Sequence, residues 1–245
     1  MSKLLAFHRA SLIACGWLKS CRACQKNWSG GRMNKQMTIV GLAGSLASVS
    51  RSLAAINIAL EGAAAVGANT RVFDIRTLNL PFYTPGSDDI PAAVHEFCEA
   101  VYQADGLIWS SPLYHGTISG AFKNALDWLQ LLSNRTPPYL TEKPVGLIST
   151  AGGTQGLQAV NTMEFVVRAL RGYTVPLVMP IPQAWKVFDE DGLSNDPGIE
   201  NQLRALGREV THAAQHFATP VTAEEVAASS GQSDAAGQSH RKPSS

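Results

Sequence analysis

The sequence predicts a doubly wound α/β domain, a three-layer sandwich around a five-stranded parallel sheet in the order 2-1-3-4-5, and three observations carry that prediction. Five short, β-rich apolar runs alternate with segments of helical periodicity. Right-handed crossovers then place helices on both faces of one parallel sheet. Stretches rich in glycine or turn residues follow the first, third and fourth runs directly, and in this topology those three loops meet at the carboxyl rim, at the switch point between strands 1 and 3.

The elements follow in order. Thr38 to Ala43 is short and rich in β-formers, as a buried parallel strand is. A helix from Leu53 to about Val66 and the turn Gly67-Ala68-Asn69 lead to a second strand, Thr70 to Asp74. Ile75 to Ile90 holds Pro81, Pro85 and Gly86, has no period, and reads as a long surface loop. Pro91 opens a helix that runs to about Gln103 through Ala93, Val94, Phe97, Val101 and Tyr102. Gly106 to Trp109 is the third strand, Ser110 to Thr117 a loop, and Ile118 to about Leu132 a helix with Phe122, Ala125, Leu126 and Leu129 on one face. Pro144 to Ser149 is the fourth strand and ends on Thr150-Ala151-Gly152-Gly153-Thr154-Gln155-Gly156. A helix from about Leu157 to Leu170, a short fifth strand at Val175 to Met179, an irregular excursion from Pro180 to Pro197 and an amphipathic helix from Ile199 to about Phe217 complete the domain.

Charge divides the chain of 245 residues. Residues 1–37 hold seven basic side chains and no acid, which leaves thirteen basic against nineteen acidic for the rest, a net of −6. A globular part of that sign is a poor nucleic-acid binder, because phosphate neutralisation by Lys and Arg supplies most of such affinity. Residues 1–36 read as an unstructured or targeting-like extension; because Met37 directly precedes the first strand, a choice of start site is the competing reading. Residues 37–218 form the domain, and 219–245, rich in Ala, Ser, Gly and Gln, read as a disordered tail. Cys21 and Cys24 form a C-x-x-C pair without a second pair or a nearby His, so no zinc site is expected, and Cys98 is alone in the domain. No apolar stretch reaches the roughly 18 residues that cross a bilayer, so a soluble, cytoplasmic protein is expected, with organellar import through the basic segment left open.

Three loops hold the candidate chemistry. Gly44 lets the chain turn, Ser45, Ser48, Ser50 and Ser52 add hydroxyls, Arg51 adds a cation, and the following helix presents its unpaired amides and positive dipole end. That combination suits a phosphomonoester, and it also reads as an ordinary serine-capped β–α turn. In the second loop, Pro112 fixes the backbone so that Leu113, Tyr114 and His115 can face a flat ligand; His115, with no visible carboxylate partner, reads as a polar contact rather than a catalyst. Lys123, Asn124, Asp127 and Trp128, on the helix that follows, read as packing and helix pairing. The third loop sets Thr150, Ala151, Gly152 and Gly153 where a backbone passes something wide, with amides from Ala151 to Thr154 available to a heterocycle. The loops contain no Ser-His-Asp set, carboxylate pair or metal cluster, which points to a bound cofactor as the reactive group.

These three stretches resemble the NAD(P)H-dependent FMN reductases of flavodoxin-like fold. The first is similar to that family's Gly-Ser-x-Arg-x-x-Ser-x-(Asn/Ser) signature at Gly44, Ser45, Ser50 and Ser52. The second is similar to its Pro-x-Tyr and Ser-Gly-x-Phe/Leu-Lys-Asn-x-x-Asp-Trp block at Pro112, Tyr114, Ser119, Gly120, Phe122, Lys123, Asn124, Asp127 and Trp128. The third is similar to its Ser/Thr-x-Gly-Gly segment at Thr150, Gly152 and Gly153. One position departs: Ala47 stands where the signature has arginine, and Arg51 offers a cation four residues on.

The resemblance implies an FMN whose phosphate meets Ser45, Ser50, Arg51 and Ser52. It further implies an isoalloxazine between Pro112–His115 and Thr150–Gly153, hydride transfer from NADPH or NADH, and electrons passed to free flavin, a quinone or another small acceptor. A homodimer or homotetramer is implied as well. The alternative is a flavodoxin-like FMN electron carrier that does not itself oxidise NAD(P)H.

Overall fold

The computed structural model describes residues 36–218. The readings of residues 1–36 and 219–245, and of the C-x-x-C pair, lie outside the described residues except at Gln36.

Strand β1 (Thr38–Ala43) is an inner strand of the sheet, parallel to β2 (Asn69–Asp74) on one side and to β3 (Gly106–Tyr114), the middle strand, on the other. β5 (Pro144–Thr150) pairs in parallel with β3, and β6 (Tyr173–Ile181) with β5, so the order is β2-β1-β3-β5-β6. That is the expected order for the five long strands. A sixth, β4 (Thr117–Ile118), pairs antiparallel with the end of β3.

Alternation along β1 feeds two cores. Val40 and Leu42 pack toward α3 (Ala92–Gln103), α4 (Gly120–Trp128) and α5 (Leu157–Ala169). Ile39 and Ala43 pack toward α1 (Arg51–Ala64) and α7 (Pro197–Phe217). A strand buried on both faces has to be apolar throughout, which is why Thr38–Ala43 is legible as an inner strand.

The helices α1 and α7 meet at backbone contact. A Cβ on Gly207 would lie 1.8 Å from the Ala59 carbonyl oxygen, and one on Gly62 would lie 2.1 Å from that of Arg204. Either glycine therefore sets how closely the two helices approach.

Three stretches differ from the sequence reading. Ser110–Tyr114 is strand, not loop: β3 continues five residues past Trp109. The β1 ladder ends at the pair Ala43 and Ser110, so Pro112 lies beyond any β1 partner and its missing N–H breaks no bond on that side. The strand then turns into β4 through His115 (φ 49) and Gly116 (φ 86), a two-residue hairpin whose left-handed positions favour glycine at the second. Between Asp74 and Pro91, a four-residue helix, α2 (Ile75–Leu78), starts directly on β2 because the Asp74 side chain caps it, accepting the Arg76 amide at 3.0 Å. The excursion after residue 180 contains the last residues of β6, a one-turn α6 (Ala184–Val187) and a bridge between Phe188 and Ser194. β6 is an edge strand, which is where prolines such as Pro176 and Pro180 are tolerated.

Candidate functional site

The carboxyl ends of β1, β3 and β5 converge, and hydrogen bonds between their loops fix the convergence. The Gly44 amide donates to the Ser110 carbonyl at 2.7 Å. The Ser119 hydroxyl donates to the Gly44 carbonyl at 2.6 Å while capping α4, where it accepts the Phe122 amide at 3.1 Å. The hydroxyls of Ser52 and Thr150 lie 2.7 Å apart, joining the first loop to the third inside the protein.

One cleft runs through this junction. It is lined by Ser45, Ala47, Val49, Arg51 and Ser52 from the first loop and the start of α1, by Pro112 and Tyr114 from β3, by Thr150, Ala151 and Gly152 from the end of β5 and the third loop, and by Ala184 and Trp185 from α6. Arg51 and Tyr114 are its ionisable side chains; no carboxylate or imidazole lines it.

The serines form a donor set. Ser50 caps α1, its Oγ accepting the Leu53 amide at 3.1 Å, and the Ser45 Oγ accepts the Ala47 amide at 3.2 Å. Each hydroxyl keeps its own proton to donate elsewhere. Arg51, at the first position of α1, has a buried Nε without a hydrogen-bond partner, and among the described residues it forms no ion pair. A buried guanidinium nitrogen left without an acceptor, beside serine hydroxyls and a helix N-terminus, fits a phosphate and repels a cation. The lining also holds two aromatic side chains, Tyr114 49% and Trp185 56% exposed, so their rings are open to a ligand. The residues present therefore fit a flavin mononucleotide: donors for an anion and aromatic faces for a flat ring.

The remaining candidates stand around this cleft. Ser50 lines the neighbouring cavity on the outer side of α1, together with Arg51. Leu113 pairs with Ile118 and packs on the core, and His115 is exposed at the hairpin tip; neither lines the cleft. Gly44 has a packing reason the sequence did not show: a Cβ there would come 2.5 Å from the Phe122 ring. The Ala151 amide is committed to the Ile181 carbonyl at 2.9 Å, which leaves those of Gly152, Gly153 and Thr154 for a heterocycle. A Cβ on Gly152 or Gly153 would meet nothing within 4 Å, so the space beside them is open. Asn124 and Trp128 anchor the 75–91 connection, donating to the Pro81 carbonyl at 2.9 Å each, and Lys123 pairs with Asp127 one turn on.

Two neighbours of the site were not legible. Trp185 is held against the third loop, since the Ala184 amide donates to Ala151 and the Gln183 amide to Gly153, each at 2.9 Å, but it sits in a proline-rich stretch without a period. Arg76 donates to the carbonyls of Ala47 and Ser48 in the first loop. Its sequence signal, a basic residue directly after the second strand, is weak.

Among the described residues, no group of His, Cys, Asp and Glu is placed to hold a metal ion, and no helix is long and apolar enough to cross a membrane.

A solved structure, the FerB flavoenzyme NAD(P)H:(acceptor) oxidoreductase of Paracoccus denitrificans, superposes with a TM-score of 0.62 at 18% identity, over 74% of this chain and 98% of that one, a likeness of fold. The NADPH-dependent FMN reductase ArsH of Acidithiobacillus ferrooxidans is 38% identical over 129 residues, 51% of this chain and 52% of the relative. The chain thus spans about half the length of that relative. An FMN-dependent NADPH-azoreductase of Staphylococcus haemolyticus is 32% identical over 140 residues, 48% of this chain and 71% of the relative. The family model for NADPH-dependent FMN reductase matches residues 37–186, which takes in β1 through β6, most of α6 and all three loops. The chain belongs to the NADPH-dependent FMN reductase family.

Proposed function

We propose that this protein is an NAD(P)H-dependent flavin oxidoreductase that holds FMN in the cleft and reduces a small acceptor, such as free flavin, a quinone or an azo compound. The observation that carries the reading is one cleft lined both by phosphate donors, Ser45, Arg51 and Ser52, and by the exposed rings of Tyr114 and Trp185, with no carboxylate or imidazole among its lining residues. FMN held there would supply the redox chemistry, two-electron transfer from NADPH or NADH to the acceptor.

The chain's own residues bind and orient. Ser45, Ser50, Arg51 and Ser52 with the N-terminus of α1 hold the phosphate. Pro112, Tyr114 and the Thr150–Gly153 segment bound the ring, while Leu113 and His115, expected there from the sequence, stand outside the cleft on the adjoining hairpin. Amides of Gly152 and Gly153 stabilise negative charge on the bound ring, the role preorganised dipoles play at oxyanions. The azoreductase among the relatives supports a small organic acceptor. A cytoplasmic homodimer or homotetramer belongs to the same proposal. Leu46 (62% exposed) and Phe82 (88% exposed), apolar side chains beside the first loop, support a partner there.

Anaerobic mixing with NADPH tests the reading. Rapid loss of the flavin's visible absorbance, restored by adding a quinone, is expected. Protein that binds FMN but bleaches slowly or not at all is instead an electron carrier.

A further inference from the structure

The first loop is gripped from its outer side. Asp74, buried at the end of β2, accepts Arg76 Nε at 2.8 Å, and Arg76 Nη1 reaches the carbonyls of Ala47 at 3.1 Å and Ser48 at 2.7 Å. The Asp74 carboxylate, hydrogen-bonded to it, pushes the Arg76 guanidinium further above its ordinary value. This pair differs from the other ion pairs in its burial: its side chains are 29% and 10% exposed, against 47% and 60% for Arg71 and Glu96. Arg76 Nε and Nη2 both donate to Asp74 Oδ2 while Oδ1 accepts the Arg76 amide, and a half-buried charge-assisted pair of this kind holds geometry where exposed pairs contribute little.

The consequence follows from peptide geometry. The peptides after Ala47 and Ser48 are trans, so each N–H points away from its own C=O. Arg76 draws both carbonyls outward, and the amides of Ser48 and Val49 are thereby turned away from it. Ala47 and Val49 line the cleft and Arg76 does not, while Arg76 shares the neighbouring cavity with Ser48 and Val49. Position 47 is alanine, so within the loop itself Arg51 is the basic side chain.

We infer that Arg76, anchored by Asp74, is a positioning residue that shapes the Ala47–Val49 loop so that its amides face the phosphate of the bound nucleotide. This rests on the reading that the cleft takes FMN by its phosphate.

The test compares FMN with riboflavin, which lacks the phosphate, by fluorescence titration of flavin-free wild type, Arg76→Ala and Arg76→Lys, with thermal unfolding alongside. Arg76→Ala is expected to weaken FMN about tenfold to a hundredfold and riboflavin less than about threefold, the scale of lost hydrogen bonds to a charged group. Arg76→Lys is expected to recover part of the loss, because an ammonium cannot span two carbonyls and a carboxylate in one plane. Wild type that prefers FMN, with Arg76→Ala keeping the same preference, overturns the inference and leaves the function standing. Wild type that does not prefer FMN overturns both. If Arg76→Ala does not fold, Asp74→Asn poses the same question with the arginine in place, and an unchanged FMN preference there overturns the inference.

Discussion

Glycine serves opposite ends in two regions of this molecule. Between α1 and α7, Gly207 and Gly62 let two backbones touch, and an added Cβ would sit 1.8 Å and 2.1 Å from main-chain oxygens. At the rim, Gly152 and Gly153 have nothing within 4 Å of where a Cβ would be. None of the four has the left-handed φ that would explain glycine by backbone conformation. The first pair closes a gap and the second keeps one open, so the two regions separate what holds the fold from what receives a ligand.

The sharpest break in that comparison is Gly207→Ala. Main chain cannot give way as a side chain can, so the variant is expected to lose about 3 kcal/mol or more of stability, at or beyond the usual range for overpacking. A urea unfolding midpoint measures it, and Gly152→Ala, expected within about 0.5 kcal/mol of wild type, is the control. Equal losses at the two positions would dissolve the distinction. Next comes Gly152→Val, expected to fold normally and to lose most of its FMN affinity, since the branched side chain fills open space beside the ring; normal flavin content would place the ring elsewhere. A smaller effect is expected of Trp185→Ala: FMN affinity down about threefold to tenfold, as one aromatic contact contributes, with stability unchanged. The smallest concerns Cys98. Burial pushes its thiol up to about 12, so it carries almost no thiolate at neutral pH, and a variant with Cys15, Cys21 and Cys24 replaced by serine is expected to resist thiol reagents until it unfolds.

The order of the sheet and the places of most helices were legible because burial on both faces leaves a pattern no exposed segment imitates, as in Thr38–Ala43. What escaped notice depended on partners far along the chain. Ser110–Tyr114 reads as a loop from its serines and proline, and becomes strand because β5 pairs with it as far as Pro112 and β4 pairs with Leu113 and Tyr114. α2 exists because one Asp74 carboxylate both caps it and holds Arg76. The candidate site was legible where residue type alone limits the chemistry, as with serines and an arginine at a helix start. It was illegible at Trp185, whose place depends on hydrogen bonds from α6 to the third loop, and at Gly44, whose constraint is the Phe122 ring rather than a ligand.

The most direct measurement is the FMN affinity of Arg51→Gln, which keeps the stem of the side chain through Cδ and removes the guanidinium with its charge. If the unpartnered guanidinium in the cleft awaits a phosphate, FMN binds about tenfold to a hundredfold more weakly to the folded variant. FMN binding as tight as in wild type would contradict the account.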